Sequence, residues 1–357
     1  MDRLCLILIL LILFLDIRCI DPIEIEVSRD FKNSLFIESK LLVSDTSIVR
    51  LRVTPVFDFT ANSVKQINLR DAWLESENGD HYQIPEIEPG LHVGIIHSST
   101  SEIVINRELS YKVGIETFDG RRLSSKLEPI LSTPEIGEVT FKVINKVVPV
   151  ESRVERVDTL KFFQFLLSTN LQPIDGSSNS DLKWDFEQII KVSNSLGKVQ
   201  WHRKNVFNLF FTPQISLLDG SAFATNAEVS DYAIFDTRVD SRFAEGFNLI
   251  VYQEAISKNT FKFYSQINQS VSRTGGIFDP PAGNAFSNFQ DENGLMEGVL
   301  GIFYASERSS KVICISGESA GSPTPINMLS QEQRFYYDQY LQTAPLASEP
   351  DNWVNCN

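Results

Sequence analysis

The stretch that decides the fold class is residues 111–123, which read YKVGIETFDGRRL. Apolar side chains occupy every second position from Tyr111 to Ile115, which is the period of a β-strand with one buried face. Asp119-Gly120 then supplies a two-residue hairpin turn, and Leu123 lies in a returning strand. This stretch therefore predicts a β-hairpin from a half-buried antiparallel sheet.

Similar short strands flank this hairpin on both sides. Asn78-Gly79 and Pro89-Gly90 are further turn dipeptides between apolar runs, at a spacing of roughly ten residues. The pattern predicts an antiparallel β-sandwich over residues 34–133. Strand-like runs resume after it and predict a larger β-rich domain over residues 134–345, with a C-terminal tail at 346–357.

Two helices and a pair of late strands are predicted in the second domain. Ser257 is a suitable cap for a helix over residues 257–272, which Gly275-Gly276 would end. Residues 331–341 favour a second helix. The apolar, glycine-spaced residues 294–305 predict a buried strand, and residues 311–315 predict another.

Composition narrows the function classes. The 357 residues suffice for two domains with cores of their own, and 46 acidic residues against 32 basic ones give a net charge of −14. This acidic balance argues against nucleic acid as a partner, because binding phosphates needs clustered Lys and Arg. Neither a phosphate-binding loop nor a dinucleotide fingerprint occurs, so we expect no cofactor.

The N-terminus indicates export. Residues 4–15 read LCLILILLILFL, which is too short to span a membrane and fits the apolar part of a signal peptide over residues 1–18. Cys19 stands where a bacterial lipoprotein is lipidated, at the start of a polar tether over residues 19–33. Asp16, Ile17 and Arg18 occupy positions where a lipobox has Leu and small residues. An uncleaved or differently cleaved signal, with Cys19 unmodified, is therefore the alternative.

Two cysteines remain beyond the lipid site. Cys314 and Cys356 form an even pair, and an oxidising compartment outside the cytoplasm makes them candidates for a disulfide. The alternative is a buried Cys314 in a strand and a free Cys356 near the chain end.

One motif resembles that of serine hydrolases. Residues 317–321 read GESAG, a G-x-S-x-G pattern that follows an apolar strand. Pro323 and Pro325 forbid the helix that a nucleophile elbow requires, and every histidine precedes Ser319, against the order of that fold. A glycine- and serine-rich turn is therefore the preferred interpretation.

Metal and acid-pair chemistry have weak support. His81, His92 and His97 have no further His or Cys at ligand spacing, and His92 and His97 would face opposite sides of a strand, so no metal site is predicted. Acidic residues around Asn78-Gly79 could hold calcium, but the alternation of ligands in a calcium loop is missing. Carboxylate pairs for glycoside hydrolysis stay open, because sequence does not give their separation.

The most distinctive segment is residues 275–305, GGIFDPPAGNAFSNFQDENGLMEGVLGIFYA. The run Phe278-Asp279-Pro280-Pro281 enforces extended chain, and a turn follows at Gly283-Asn284. Together with Phe286 and Phe289, these residues predict a long loop with aromatic side chains. The loop either packs on its own domain or presents Phe278, Phe286 and Phe289 to a partner or ligand.

These motifs together resemble one family. Residues 19–22 (CIDP), the string from Phe278 to residue 305 and the ending Pro350-Asp351-Asn352-Trp353 are similar to Bacteroidota outer-membrane lipoproteins classed as a domain of unknown function. Genes of that family often lie beside those of TonB-dependent receptors. The resemblance implies an N-terminal domain like those of immunoglobulin or fibronectin, a β-rich C-terminal domain and association with a β-barrel. It supplies no catalytic residue.

The resemblance also implies a location. Acidic residues soon after the lipid cysteine resemble signals that send such lipoproteins to the cell surface; here they are Asp21, Glu24 and Glu26. We therefore expect a lipid anchor in the outer membrane, with the protein on its extracellular face.

The sequence and the resemblance leave three candidate functions. The first is a non-enzymatic accessory subunit of a TonB-dependent transporter that captures or gates a ligand. The second is a structural subunit of an outer-membrane assembly or secretion complex. The third, from another class, is an extracellular hydrolase of glycans or peptides, which would need two close carboxylates or a serine beside a histidine.

Overall fold

The computed structural model describes residues 34–55, 67–97, 104–149, 157–173, 175–176, 178–193, 199–205, 215–271, 286–291, 299–325, 346 and 348–356. This part of the chain is mainly β with one α-helix, which confirms the fold class predicted from the sequence. The signal peptide and tether over 1–33 and the second helix predicted at 331–341 lie outside the described residues.

The described residues of the first part of the chain form nine strands. They are β1 (Leu35–Val43), β2 (Thr46–Pro55), β3 (Leu69–Ser76), β4 (His81–Gln83), β5 (Glu86–Glu88), β6 (Leu91–His97), β7 (Ser110–Thr117), β8 (Arg122–Ser125) and β9 (Glu128–Leu131). Apolar and polar side chains alternate along these strands. In β2, for example, Val49, Leu51 and Val53 are buried and the residues between them are not. The predicted turns at Asn78-Gly79 and Asp119-Gly120 are confirmed, with left-handed glycines that join β3 to β4 and β7 to β8.

In the second part of the chain, the residues that the structure describes form nine further strands and an α-helix. The strands are β10 (Ile136–Pro149), β11 (Val157–Asn170), β12 (Asp181–Ser193), β13 (Val199–Asn205), β14 (Ser216–Leu218), β15 (Glu228–Arg238), β16 (Phe247–Ile256), β17 (Phe289–Asp291) and β18 (Val299–Ile315). Strands β10, β11 and β15 form one antiparallel sheet. Strands β12, β13, β14 and β16 belong to another, which continues into β18. The two sheets enclose an aromatic core that includes Phe163, Phe165 and Trp184.

The last strand connects both halves of the molecule. The first part of β18 lies parallel to β1, from Leu35 opposite Val299 to Val43 opposite Glu307. Its second part lies antiparallel to β16, up to Phe247 opposite Ile315. The first sandwich is therefore not purely antiparallel, and its core takes in residues beyond 34–133, among them Phe289 and Phe303.

The separate strands predicted at 294–305 and 311–315 are wrong in one respect. The polar residues 306–310 between them continue the same strand, and β18 runs for 17 residues without a break. Pairing explains the difference, because hydrogen bonds to β1 and then to β16 hold this polar stretch extended whatever its local preference. At Gly301 an added Cβ would lie 2.3 Å from the carbonyl oxygen of Ile37, so only glycine allows the close approach of β1.

The helix predicted at 257–272 is confirmed as α1 (Lys258–Val271). The Ser257 hydroxyl accepts a hydrogen bond from the Thr260 N–H at 3.2 Å, as a helix cap does. Phe263 and Tyr264 project from α1 and are buried in a small third core together with Ile302 and Tyr304. No helix within the described ranges has the length and apolar content needed to cross a membrane.

Candidate functional site

The predicted aromatic loop is only partly within the described residues. Phe278, Asp279, Pro280, Pro281 and Asn284 lie outside them. Phe286 is half-buried against the core below α1, and Phe289 is fully buried in the first sandwich. Phe289 is therefore not available for partner contact: β17, which begins at this residue, pairs with β8 and turns the ring into the core.

The C-terminal segment is fastened to the second sheet at two points. Cys314 on β18 and Cys356 are joined by a disulfide, with Cα atoms 5.3 Å apart. Leu346 donates its N–H to the carbonyl of Trp201 on β13 at 2.9 Å. The disulfide holds Cys356 at the end of β18, and Trp353 and Asn355 lie near the turn that follows this strand.

A cavity of ≈ 530 Å³ opens beside this disulfide. Its wall comes from four parts of the chain: the end of β12, the turn before β16, the turn after β18 and the C-terminal segment. The lining residues are Lys191, Ala244, Glu245, Gly246, Ser316, Gly317, Glu318, Ser322, Pro323, Pro325, Trp353, Asn355 and Cys356. Its volume lies within the range of about 300–1,000 Å³ typical of small-ligand sites.

Trp353 is the largest side chain in this wall, and it is held in place from several sides. Its indole N–H donates to the side-chain oxygen of Asn355 at 3.1 Å, and its backbone N–H donates to the carbonyl of Pro350 at 2.9 Å. The ring packs beside Gly246, where an added Cβ would lie 3.4 Å from two ring atoms. The disulfide follows three residues later. Trp353 nevertheless keeps part of its surface exposed.

The G-x-S-x-G motif forms a turn in the wall of the cavity, and a turn was the interpretation preferred from the sequence. Residues 317–321 form turns after β18, with Gly321 at a φ of 80°. Ser319 accepts a hydrogen bond from the Ser316 hydroxyl at 3.0 Å. At Gly317 an added Cβ would lie 2.3 Å from the Ala244 carbonyl oxygen, so this glycine permits the contact of the two turns that frame the cavity.

A second polar cluster, the buried ion network, lies where β1, β12, β16 and β18 meet. The fully buried Glu254 carboxylate accepts hydrogen bonds from Lys40 and Arg308, each at 3.0 Å, and from the Tyr304 hydroxyl at 2.6 Å. Asp185 pairs with Lys40 at 2.6 Å and with Lys183 at 2.5 Å. Three cations thus surround two carboxylates.

Electrostatics keep both carboxylates of this network charged. Burial by itself would raise the pKa of Glu254, but the attraction of Lys40, Lys183 and Arg308 outweighs it and lowers that pKa to about 2. The same balance, dominated on the lowering side by Lys183 and Lys40, holds the pKa of Asp185 well below its usual range. Burial and the adjacent Glu254 carboxylate raise the pKa of the Tyr304 phenol well above its ordinary value.

This network is suited to joining the two sandwiches and not to proton transfer near neutral pH. A general acid or base works best with a pKa near the operating pH, whereas these groups are shifted away from it. Its side chains come from strands on both sides of the junction between the two sandwiches, and each charged group has a partner of opposite charge. We assign it a structural role.

The histidines and acidic residues that were considered as metal ligands do not cluster among the described residues. His92 is buried and His97 exposed, on opposite faces of β6 as predicted. Among the described residues, no group of three His, Cys, Asp or Glu is placed to hold a metal ion, and this includes the acidic hairpin at Asn78-Gly79.

Sequence reasoning missed the main features of the cavity. From the sequence, Trp353 was considered only as part of a C-terminal motif that resembles the family, and no role was predicted for Gly246. The available signal was the sequence of the tail, in which a tryptophan stands three residues before a cysteine that has only one possible partner outside the predicted leader and the predicted lipid site.

Comparison with known proteins identifies the family. The model of a family described as a domain of unknown function (DUF4249) matches residues 20–312, well over half of the chain. No curated protein matches the sequence. The match begins one residue after Cys19 and extends into β18, so it includes most of both sandwiches. The chain therefore belongs to this family, a domain of unknown function.

Proposed function

We propose that the protein is a non-enzymatic lipoprotein of the outer membrane, anchored through Cys19. In this role it serves on the extracellular face as an accessory subunit of a TonB-dependent transporter. It captures a ligand in the cavity beside Trp353 and holds that ligand for uptake through the barrel. Bacteroidota lipoproteins of the kind that the sequence resembles are the basis for naming this class of partner.

The layout of β18 carries the proposal. The tether precedes β1, whose first residues lie beside Val299 at the start of β18. The cavity lies beyond the other end, where Ser316 and Gly317 follow the strand. A strand of 17 residues spans about 50 Å at a rise of roughly 3.3 Å per residue. Leu35, which follows the tether, therefore lies at the end of β18 opposite to the cavity.

The leader and the family match are consistent with such an anchor. The family model begins at residue 20, directly after Cys19, so the apolar leader lies outside it. Cys314 and Cys356 are engaged with each other, and Cys5 lies within the predicted leader, so the proposal assigns the lipid to Cys19.

Co-purification from the native membrane tests the transporter role. An epitope inserted after Asn78 would lie in an exposed hairpin turn of the first sandwich, away from the disulfide and the cavity. The tagged protein is extracted in mild detergent, and its companions are identified and quantified by mass spectrometry. We expect a TonB-dependent barrel in near-stoichiometric amount. A barrel for assembly or secretion in its place, or no barrel at all, would refute the proposal.

A further inference from the structure

We propose that the cavity beside the Cys314–Cys356 disulfide binds a neutral saccharide, with the apolar face of one sugar ring stacked on the indole of Trp353. This inference rests on the proposed function, because it names the ligand class for the cavity assigned there to capture.

The charges in the wall favour a neutral ligand. Lys191 lies in the same wall as Glu245 and Glu318. A free anion would meet two carboxylates, and a cation would meet the lysine ammonium, so neither sign is strongly selected. A neutral ligand with many hydroxyls can instead accept from the lysine and donate to the carboxylates.

The uncharged part of the wall suits a ring with one apolar face. Ser316, Ser322 and Asn355 supply hydroxyl and amide groups, and Trp353 with Pro323 supplies an apolar surface. The axial C–H groups of a pyranose carry a small positive charge, which is attracted to the negative face of an indole ring. A saccharide combines this face with hydroxyls at its edge, which matches a wall that joins one apolar surface to several polar side chains.

Trp353 is prepared for stacking before any ligand arrives. Its N–H is already used by Asn355, its backbone is in a turn with Pro350, and its ring lies beside Gly246. The disulfide at Cys356 keeps the segment in place. Because the side chain is already ordered, a ligand that stacks on it does not have to pay the entropy of fixing it.

Trp73 offers a matched control for this tryptophan. Trp73 is also partly buried, and its ring also lies over a glycine, Gly114, with a stacked contact to His81. It belongs to β3 in the first sandwich, whereas the cavity lies at the end of β18. Replacing each tryptophan by Ala therefore removes the same side chain from a similar setting, but only one change affects the cavity.

Calorimetric titration of the purified full-length protein tests the proposal. A detergent without a sugar headgroup is required, and the neutral probes are maltotriose, cellotriose, mannotriose, galactotriose and chitotriose. Trigalacturonic acid and spermidine serve as acidic and cationic probes. We expect at least one neutral trisaccharide to bind, with affinity at least tenfold lower in Trp353→Ala and within twofold of wild type in Trp73→Ala.

A second variant covers the case in which Trp353→Ala does not fold. Glu318 is exposed on the turn at the cavity, so Glu318→Leu removes one of the two carboxylates that accept from the sugar hydroxyls without touching the core. We expect it to lower affinity for the same trisaccharide at least tenfold. Near-ultraviolet circular dichroism and thiol titration check the fold and the disulfide of each variant.

Three results would overturn the saccharide assignment: no neutral probe binds the wild-type protein, binding is equal in wild type and both cavity variants, or only the charged probes bind. Failure of the proposed function is distinct from these. A barrel that co-purifies with a protein that binds no neutral saccharide leaves the transporter role and removes the ligand class. Saccharide binding without a barrel does the reverse.

Discussion

Replacing Glu254 by Gln should destabilise the protein by about 3–5 kcal/mol, the usual cost of breaking a buried ion pair by removing one partner. The carboxylate is 0% exposed and accepts from Lys40, Arg308 and Tyr304. Its pKa of about 2, against an ordinary 4.5, gives a second route to the magnitude. A shift of that size corresponds to roughly 3 kcal/mol. In the amide variant, Lys40 and Arg308 lose their shared counter-charge inside the protein.

Glu75 provides a matched control for this substitution. Glu75 also lies on a strand with a lysine at 3.0 Å, Lys112, but its side chain is 28% exposed. Glu75→Gln should cost at most about 1 kcal/mol, because water screens and replaces an exposed pair. The assay is equilibrium unfolding in urea at pH 7, followed by tryptophan fluorescence and by circular dichroism. A cost for Glu254→Gln no larger than that for Glu75→Gln would refute the structural role of the ion network.

Three further outcomes are expected. First, acid should lower the free energy of unfolding of the wild type. The pKa of Glu254 is depressed in the folded protein, so the contribution of Glu254 to stability is complete above about pH 4.5 and is lost as the pH falls towards about 2. Urea midpoints measured across this window should therefore fall less steeply in Glu254→Gln. Second, the Cys314→Ser, Cys356→Ser double variant should lose about 4 kcal/mol in the chain-entropy model, for a sequence separation of 42, and its calorimetric melting temperature should drop; an unchanged melting temperature would contradict a structural disulfide. Third, Phe289→Ala should cost about 3–5 kcal/mol in urea unfolding, because its ring is fully buried, whereas Phe118→Ala at a 72% exposed position should cost under about 0.5; equal costs would contradict the core position of Phe289.

Features set by neighbouring residues could be predicted from the sequence. The turns at Asn78-Gly79 and Asp119-Gly120 depend on backbone freedom at two positions. The helix α1 depends on its cap at Ser257 and on an apolar stripe along one face. Each of these signals lies within about fifteen residues, so local chemistry is sufficient to read it.

Features set by distant pairing could not be predicted in the same way. The continuous β18 depends on β1, a strand more than two hundred residues earlier, and its polar middle resembles a loop until that partner is known. The ion network joins Lys40 to Asp185 and Glu254 across 145 and 214 residues. Charged residues in strands are ordinarily read as solvent-facing, because nothing in the local pattern marks them as buried.

The candidate site shows the same division. The disulfide partners could be named by counting cysteines, but the cavity depends on the meeting of two turns with the C-terminal segment. The conspicuous aromatic loop drew attention to Phe289, whose ring the structure places in a core. Aromatic residues are favoured both in cores and at interfaces, so composition alone did not separate these roles.

We propose that Cys19 anchors the protein in the outer membrane and that the residues after Cys19 lie outside the cell. The most direct measurement combines metabolic labelling with an alkyne fatty acid and antibody staining of intact cells, using the epitope after Asn78 in wild type, Cys19→Ser and Cys5→Ser. The control cysteine, Cys5, lies within the same leader. We expect lipid label and surface staining in wild type and Cys5→Ser, and loss of both in Cys19→Ser. Equal label and staining in all three proteins would contradict it, as would a wild-type protein that carries lipid but stains only after the outer membrane is opened.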